Sequence, residues 1–358
     1  MSGDPFKEVQ TRHRKAEQLM LSEIIDFSNP TGDERIISTG RTFGLSTHPG
    51  FTYAPEALSQ AMQQDLSYLA LAEYCEQPHL TNISAVPPKP NEVRYPNTRI
   101  WSLWKDQNGF EGKPATGKND QYNGKKRPRD DKGHKLRVEV KHYRSPKKLS
   151  WATLGYHYDW TARTYTEDAR SPVPHRLAQL ATRLAGMVQS SEVHKDCPPN
   201  QFVPSAAIVN YYNTKQIMGG HRDDLEFTFS SPVISISLGL PAIFLLGGNS
   251  REVLPVAILV RPGDVMFLGG ESRLAYHGIA KVIAADVGLP RKCENGTLEK
   301  LQIDAWSHGD PAGNATPGSD REALHSFLSQ HRININIRQV LPSGIDRISE
   351  DMRPPLPD

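Results

Sequence analysis

The plainest polar–apolar alternation in the chain runs from Arg332 to Arg338. Read as a strand, it puts Arg332, Asn334, Asn336 and Arg338 on one face and Ile333, Ile335 and Ile337 on the other. Upstream, short apolar runs alternate with turn residues at Ala206–Tyr212, Val233–Leu238, Ala242–Leu246, Val256–Val260 and Val265–Leu268. Strands at this even spacing predict a β-sandwich or jelly roll, not a βαβ array. Helical spacing appears at Lys7–Ile25, at Leu58–Cys75 (Met62, Leu66, Leu69, Leu71), at His175–Val188 (Leu177, Leu180, Ala181, Leu184, Met187) and in the short Arg321–Leu328. The expected fold is mostly β with flanking helices.

Composition divides the chain. Its 358 residues are 37% apolar with a formal net charge of +2, enough for one large elaborated domain or two smaller ones. No apolar run reaches about 18 residues, so no membrane span is expected. The N-terminus reads neither as a secretory leader nor, with Asp4, Glu8, Glu17 and Glu23, as a transit peptide. Cys75, Cys197 and Cys293 are too sparse for a disulfide framework or a thiolate zinc site, which points to a reducing compartment. From Gly112 to Lys148 large apolar residues nearly vanish and Lys and Arg crowd in, including Lys125-Lys126-Arg127-Pro128-Arg129. This stretch reads as a mobile insertion: a nuclear import signal, a nucleic-acid-facing arm or simply a solvated loop. The expected organisation is a helical and irregular extension over 1–110, the basic insertion over 111–148, the core over 149–345 and a proline-rich surface tail over 346–358.

The candidate chemistry begins at His221-Arg222-Asp223, after Gly219-Gly220. In extended backbone, residues two apart share a side, so an imidazole and a carboxylate can grip one ion. By itself H-x-D fits an ordinary polar pair. His277, in Tyr276-His277-Gly278 after a strand and the Gly269-Gly270 turn, is the candidate third ligand. Two histidines and a carboxylate on one face of an octahedron leave three positions open, the facial triad of non-haem Fe(II) oxygenases. The polar face of 332–338 has two readings. It is a solvated sheet surface, or it lines a cavity whose guanidinium forks hold planar anions. An oxygenase that consumes 2-oxoglutarate must hold a carboxylate away from its metal, and Arg332 and Arg338 suit that task. Asn210 and Tyr212, two apart on a strand, can donate to the same molecule.

Three segments carry a family resemblance: Ser237–Phe244, Gly269–Leu274 leading to His277, and the Arg332-x-Asn334-x-x-x-Arg338 strand. Together they resemble the AlkB family of Fe(II)/2-oxoglutarate dioxygenases, from about Trp151 to Leu341, and most resemble its first eukaryotic homologue branch. The resemblance implies a double-stranded β-helix core. It implies Fe(II) on His221, Asp223 and His277, and 2-oxoglutarate on Asn210, Tyr212, Arg332, Asn334 and Arg338, with O2 as oxidant. It gives the far carboxylate to Arg332 and the metal end to Arg338. It places Trp151, Tyr156, Tyr158 and Arg251 with the substrate, although core packing suits the aromatics too. Where several family members carry an acid two residues after the metal aspartate, this chain has Leu225, and its flanking Asp224 and Glu226 are expected to point elsewhere. The implied reaction is oxidative demethylation, or methyl hydroxylation, of nucleobases in tRNA or DNA, with the base looped, single-stranded or flipped out. A protein hydroxylase or demethylase on the same core, or a nucleic-acid-binding adaptor with a vestigial site, are the alternatives. The basic cluster favours the nucleus; cytoplasm and mitochondrion stay open.

Overall fold

The computed structural model describes residues 3–30, 33–38, 42–84, 99–110, 148–159, 162–188, 202–290, 303, 304, 306 and 316–355. Its strands, in chain order, begin with β1 (Ile24–Ile25), β2 (Ile36–Ser38), β3 (Phe43–Leu45), β4 (His48–Ala54), β5 (Leu80–Thr81), β6 (Trp151–Asp159) and β7 (Thr164–Arg170). They continue through β8 (Ala206–Asn213), β9 (Met218–His221), β10 (Val233–Gly239), β11 (Ala242–Leu246), β12 (Val256–Val260), β13 (Val265–Leu268), β14 (His277–Val282) and β15 (His331–Arg338). The helices are α1 (Pro5–Lys15), α2 (Gln60–Ala72), α3 (Ile100–Gln107), α4 (His175–Val188) and α5 (Arg321–Leu328).

Two sheets form the sandwich. The smaller runs β1-β12-β11-β14-β9; the larger runs β2-β3-β4-β13-β10-β15-β8-β6-β5, with β7 paired to β6. β15 lies centrally in the larger sheet, antiparallel to both β10 and β8. Its three isoleucines are fully buried against residues of α2, α4 and α5. Each such side chain contributes roughly 1.5–3 kcal/mol relative to exposure. The opposite face turns into the sandwich, where Tyr212, Phe244, Met266 and Ile279 belong to the core shared by the two sheets. The outer face of the smaller sheet is covered by α1, through Phe6 and Val9.

The expected runs from Ala206 to Leu268, and the helices His175–Val188 and Arg321–Leu328, match the observed elements to within a residue. The N-terminus departs from expectation. The helix predicted over Lys7–Ile25 stops at Lys15, because Ile24 and Ile25 pair in parallel with Ala257 and Ile258 of β12. Helix-forming residues lose here to a sheet edge that needs a partner. The segment 1–110 is therefore not a separate helical and irregular extension: β1 joins the smaller sheet, and β4 pairs with β13 in the larger. Residues 111–147 of the basic insertion lie outside the described residues. In the tail, Ile348 and Met352 pack on a cluster containing Tyr156 and Phe227, so its exposed chain is partly anchored.

Candidate metal and co-substrate site

The site is built where the two sheets diverge. In the smaller sheet, β9 is the edge strand and pairs antiparallel with β14, so that His221 stands directly opposite His277. Their ring centroids are 4.4 Å apart. A Cβ at position 278 would lie 2.6 Å from the Met218 carbonyl oxygen, so glycine is what lets β14 approach this irregular edge. Asp223 follows in the loop after β9. Its Oδ1 is 4.0 Å from His221 Nε2 and its Oδ2 is 3.8 Å from His277 Nε2. One donor atom from each residue falls within 4.8 Å of the others.

Each imidazole is set for ligation. Nδ1 of His221 is 3.0 Å from Gly219 O, and Nδ1 of His277 is 3.0 Å from Ala275 O. A carbonyl only accepts, so Nδ1 carries the proton and Nε2 presents a lone pair. Burial, then the neighbouring His221, pushes His277 down to about 4, so it is neutral at physiological pH. Asp223 Oδ2 is buried without a hydrogen-bond partner. A buried unsatisfied acceptor costs about 1–3 kcal/mol, which a coordinated cation would relieve. Two imidazole nitrogens and one carboxylate oxygen are the donor set of an Fe(II) site with open positions, and the residues fit that ion.

Asp223 is held from behind. Arg338 Nη2 lies 3.1 Å from Asp223 Oδ2, an ion-pair distance without hydrogen-bond geometry. Burial works to raise the Asp223 carboxyl, but Arg338, then His277 and His221, hold it well below the usual range. Glu226, fully buried, accepts from Arg338 Nη1 at 3.0 Å and from Arg273 Nη2 at 3.1 Å. Arg273 Nη1 donates in turn to the Asp223 backbone carbonyl at 2.6 Å. Glu226 thus does not point elsewhere: it lines the cavity and joins the two arginines that grip Asp223. Sequence reasoning missed this network because nothing local pairs 226 with 273 and 338. The flanking charges, Arg222, Asp223 and Asp224 beside Glu226 and Glu271 beside Arg273, offered nearer partners and so no signal of it.

The cavity, about 370 Å³, runs from this triad along the polar face of β15. In register, Arg338 stands opposite Ala206, Asn334 opposite Asn210, and Arg332 opposite Tyr212. The two arginines sit six residues apart, roughly 20 Å along the strand. Arg332 is fully buried. Its guanidinium donates only to neutral oxygens, Ser237 Oγ at 3.0 Å and Leu240 O at 3.4 Å, and its Nε has no partner. Burial pushes it down to about 10, which leaves it cationic at neutral pH. Asp264, the nearest carboxylate acting on it, is occupied by Tyr53, Glu56 and Arg261. A buried cation bonded only to neutral groups calls for an anion. Asn334 is oriented by donating to Ser235 Oγ and Ile236 O. Tyr212 stays protonated because burial raises its hydroxyl, so it is a donor. Arg332, Asn334, Arg338, Asn210 and Tyr212 all line one cavity with the triad.

The expected substrate residues divide. Tyr158 lines the cavity. Trp151 pairs with Asn210 but is not part of the lining. Tyr156 turns away into a separate pocket, where its hydroxyl donates to Glu167 at 2.9 Å; the positive φ of Gly155 marks the bend. Arg251 is committed to Asp4 and to the Gly220 carbonyl, and its guanidinium lies over Phe6 and Tyr276. Arg163 was not anticipated. It lines the cavity from the β6–β7 turn with a positive φ of 53° and hydrogen bonds Tyr158.

A jelly-roll sandwich with a two-histidine, one-carboxylate triad at one end and a buried cationic cradle at the other defines a class of metal-dependent oxygenase. Comparison with known sequences agrees. The 2OG-Fe(II) oxygenase superfamily matches residues 115–338. The chain is 30% identical over 350 residues to the DNA N(6)-methyladenine demethylase ALKBH1A of Arabidopsis thaliana, covering 89% of this chain and 87% of that one. It is 29% identical to the nucleic acid dioxygenase ALKBH1 of Homo sapiens, over 90% of this chain and 72% of that one. It is 27% identical to the tRNA demethylase abh1 of Schizosaccharomyces pombe, over 90% of each. The chain belongs to the 2OG-Fe(II) oxygenase superfamily and, within it, to the AlkB family in its ALKBH1-like branch. Its cofactor is Fe(II), and its co-substrates are 2-oxoglutarate and O2.

Proposed function

We propose that this protein oxidatively removes methyl groups from, or hydroxylates methyl groups on, nucleobases in tRNA or DNA. One observation carries the chemistry: a triad with both Nε2 lone pairs free opens onto the same cavity as an uncompensated, fully buried arginine. The names of the similar proteins supply the substrate class, since they act on DNA, tRNA or nucleic acid. Iron bound here, with 2-oxoglutarate and O2, supplies the power to insert oxygen into a methyl C–H bond. His221, Asp223 and His277 hold it; Arg332 takes the far carboxylate of the co-substrate as a bidentate fork. Asn210, Tyr212 and Asn334 fix its orientation, and Arg338 balances charge beside Asp223. A hydroxymethyl group on nitrogen then collapses to formaldehyde and the bare nitrogen. Tyr158 and Arg163 stand at the cavity to meet a base extruded from its stack.

The test is succinate and formaldehyde release on methylated tRNA and methylated single-stranded DNA. Turnover on one of these, abolished in His221→Ala, is expected. Turnover on a protein substrate with none on any methylated nucleic acid would sink the reading. For localisation we propose the nucleus, on the Lys125–Arg129 cluster; a tagged chain that stays cytoplasmic or mitochondrial refutes it.

A further inference from the structure

The two histidines of the triad stand on strands of unequal strength. β14 lies inside the smaller sheet, between β11 and β9. β9 is the edge, four residues long, and two of those residues are glycines. Only two residue pairs join it to β14: His221 with His277, and Met218 with Ile279, with a register shift between them. A short glycine-containing edge strand has little intrinsic rigidity. Its histidine side chain is 39% exposed, against 7% for His277.

α1 supplies what the ladder lacks. Gln10, 7% exposed, donates its side-chain amide to the Met218 carbonyl at 2.6 Å and to the Ile279 carbonyl at 3.2 Å. Those two residues are the ladder pair next to the histidine pair. Phe6, fully buried, packs so close to Gly220 that a Cβ there would lie 2.6 Å from its ring. Asp4 caps α1 by accepting from Lys7 N and pairs with Arg251, which itself donates to Gly220 O. Contacts from one helix thus converge on Met218, Gly220 and Ile279, all within three residues of His221 or His277.

We propose that Gln10 is a positioning residue. Its amide staples β9 to β14 and so sets the separation of His221 and His277 for the metal. This rests on the assignment of those residues as metal ligands. Without the donor, two carbonyls lose their partner and β9 frays, leaving His221 free to swing away from His277.

The test uses the full chain with Mn(II) as the probe, read by calorimetry without turnover. Gln10→Leu keeps the apolar stem and removes the donor. Its Mn(II) dissociation constant is expected to rise about tenfold, the scale of losses for groups that orient metal ligands. Amide hydrogen exchange is expected to quicken in β9 and the start of β14 while β8 and β15 keep their protection. Lys281→Met is the control: Lys281 donates to the Ala16 carbonyl at the far end of α1, so it loosens the helix without touching β9. Equal loss of Mn(II) affinity in both variants, tracking melting temperature, makes the effect generic and overturns the proposal. So does unchanged affinity in Gln10→Leu. Failure of the parent chain to bind Mn(II) overturns the metal assignment and this inference together, whereas parent binding that Gln10→Leu leaves intact overturns this inference alone.

Discussion

The two ends of the cavity solve opposite problems. At the co-substrate end, Arg332 sits on a central strand with paired neighbours on both sides, fully buried and rigid. At the metal end, His221 sits on an edge strand that α1 braces from outside the sheet through Gln10. The difference follows from what each end must do. An anion cradle gains from rigidity, because a fork that fits a planar carboxylate loses energy with every degree of freedom. A metal site with open positions must admit substrate and oxygen, so one ligand faces the mouth. The stable end is built from long-range strand pairing, and the open end from a local H-x-D turn braced by a distant helix.

The largest effect should come from removing the open end outright. Replacing His221 and Asp223 together by alanine leaves one ligand, and metal binding measured by calorimetry should vanish. Iron retained in that double variant would mean the triad is misassigned. Next in size is Glu226→Gln. It leaves Arg338 and Arg273, both buried, facing a neutral amide. Breaking a buried pair costs about 3–5 kcal/mol, so urea unfolding of the metal-free protein should show a loss of that order. A loss near zero would show that the two arginines find other partners and that the network does not brace Asp223.

Arg332→Lys isolates the rigid end. A lysine keeps the charge but offers a point in place of a fork. Hydrogen bonds between charged groups contribute about 1.5–3 kcal/mol, so affinity for 2-oxoglutarate should fall roughly 10- to 100-fold. Iron should stay, since Arg332 bonds none of the three ligands and donates instead to Ser237 and Leu240. Loss of iron would mean the ends are coupled and the contrast between them false.

How much of this contrast was readable in the chain depends on the range of the contacts. The alternation of 332–338 showed that one face differs from the other, but not which way it looks. A solvated face and a lined cavity share a pattern; only the burial of Arg332, Asn334 and Arg338 separates them. The triad was legible because His221 and Asp223 are two residues apart and His277 opens a strand. Glu226 was not, because its partners come from β15 and from the turn before β14, 112 and 47 residues away. The N-terminal strands were hidden for a related reason: Ile24 and Ile25 follow a run of good helix formers, and only pairing with β12 decides between helix and strand. Arg251 matched a substrate position by sequence, yet Asp4, an N-cap acid far from it in sequence, occupies its guanidinium.

The smallest expected effect lies at the mouth, where Tyr158 is the expected substrate aromatic that the fold does bring to the cavity. It packs edge-on against Tyr165 at 5.5 Å, so its ring is held without being sealed off. Tyr158→Leu keeps apolar lining but removes the π-face and the hydroxyl that Arg163 engages. A stacked base contributes about 1–3 kcal/mol, and leucine should retain part of that. The Michaelis constant for a methylated oligonucleotide should therefore rise about fivefold, with metal and 2-oxoglutarate affinities unchanged. Tyr156→Leu, facing a different pocket, should leave the Michaelis constant alone. If the two substitutions behave alike, the base does not enter along β6, and the open end of the site faces its substrate from another side.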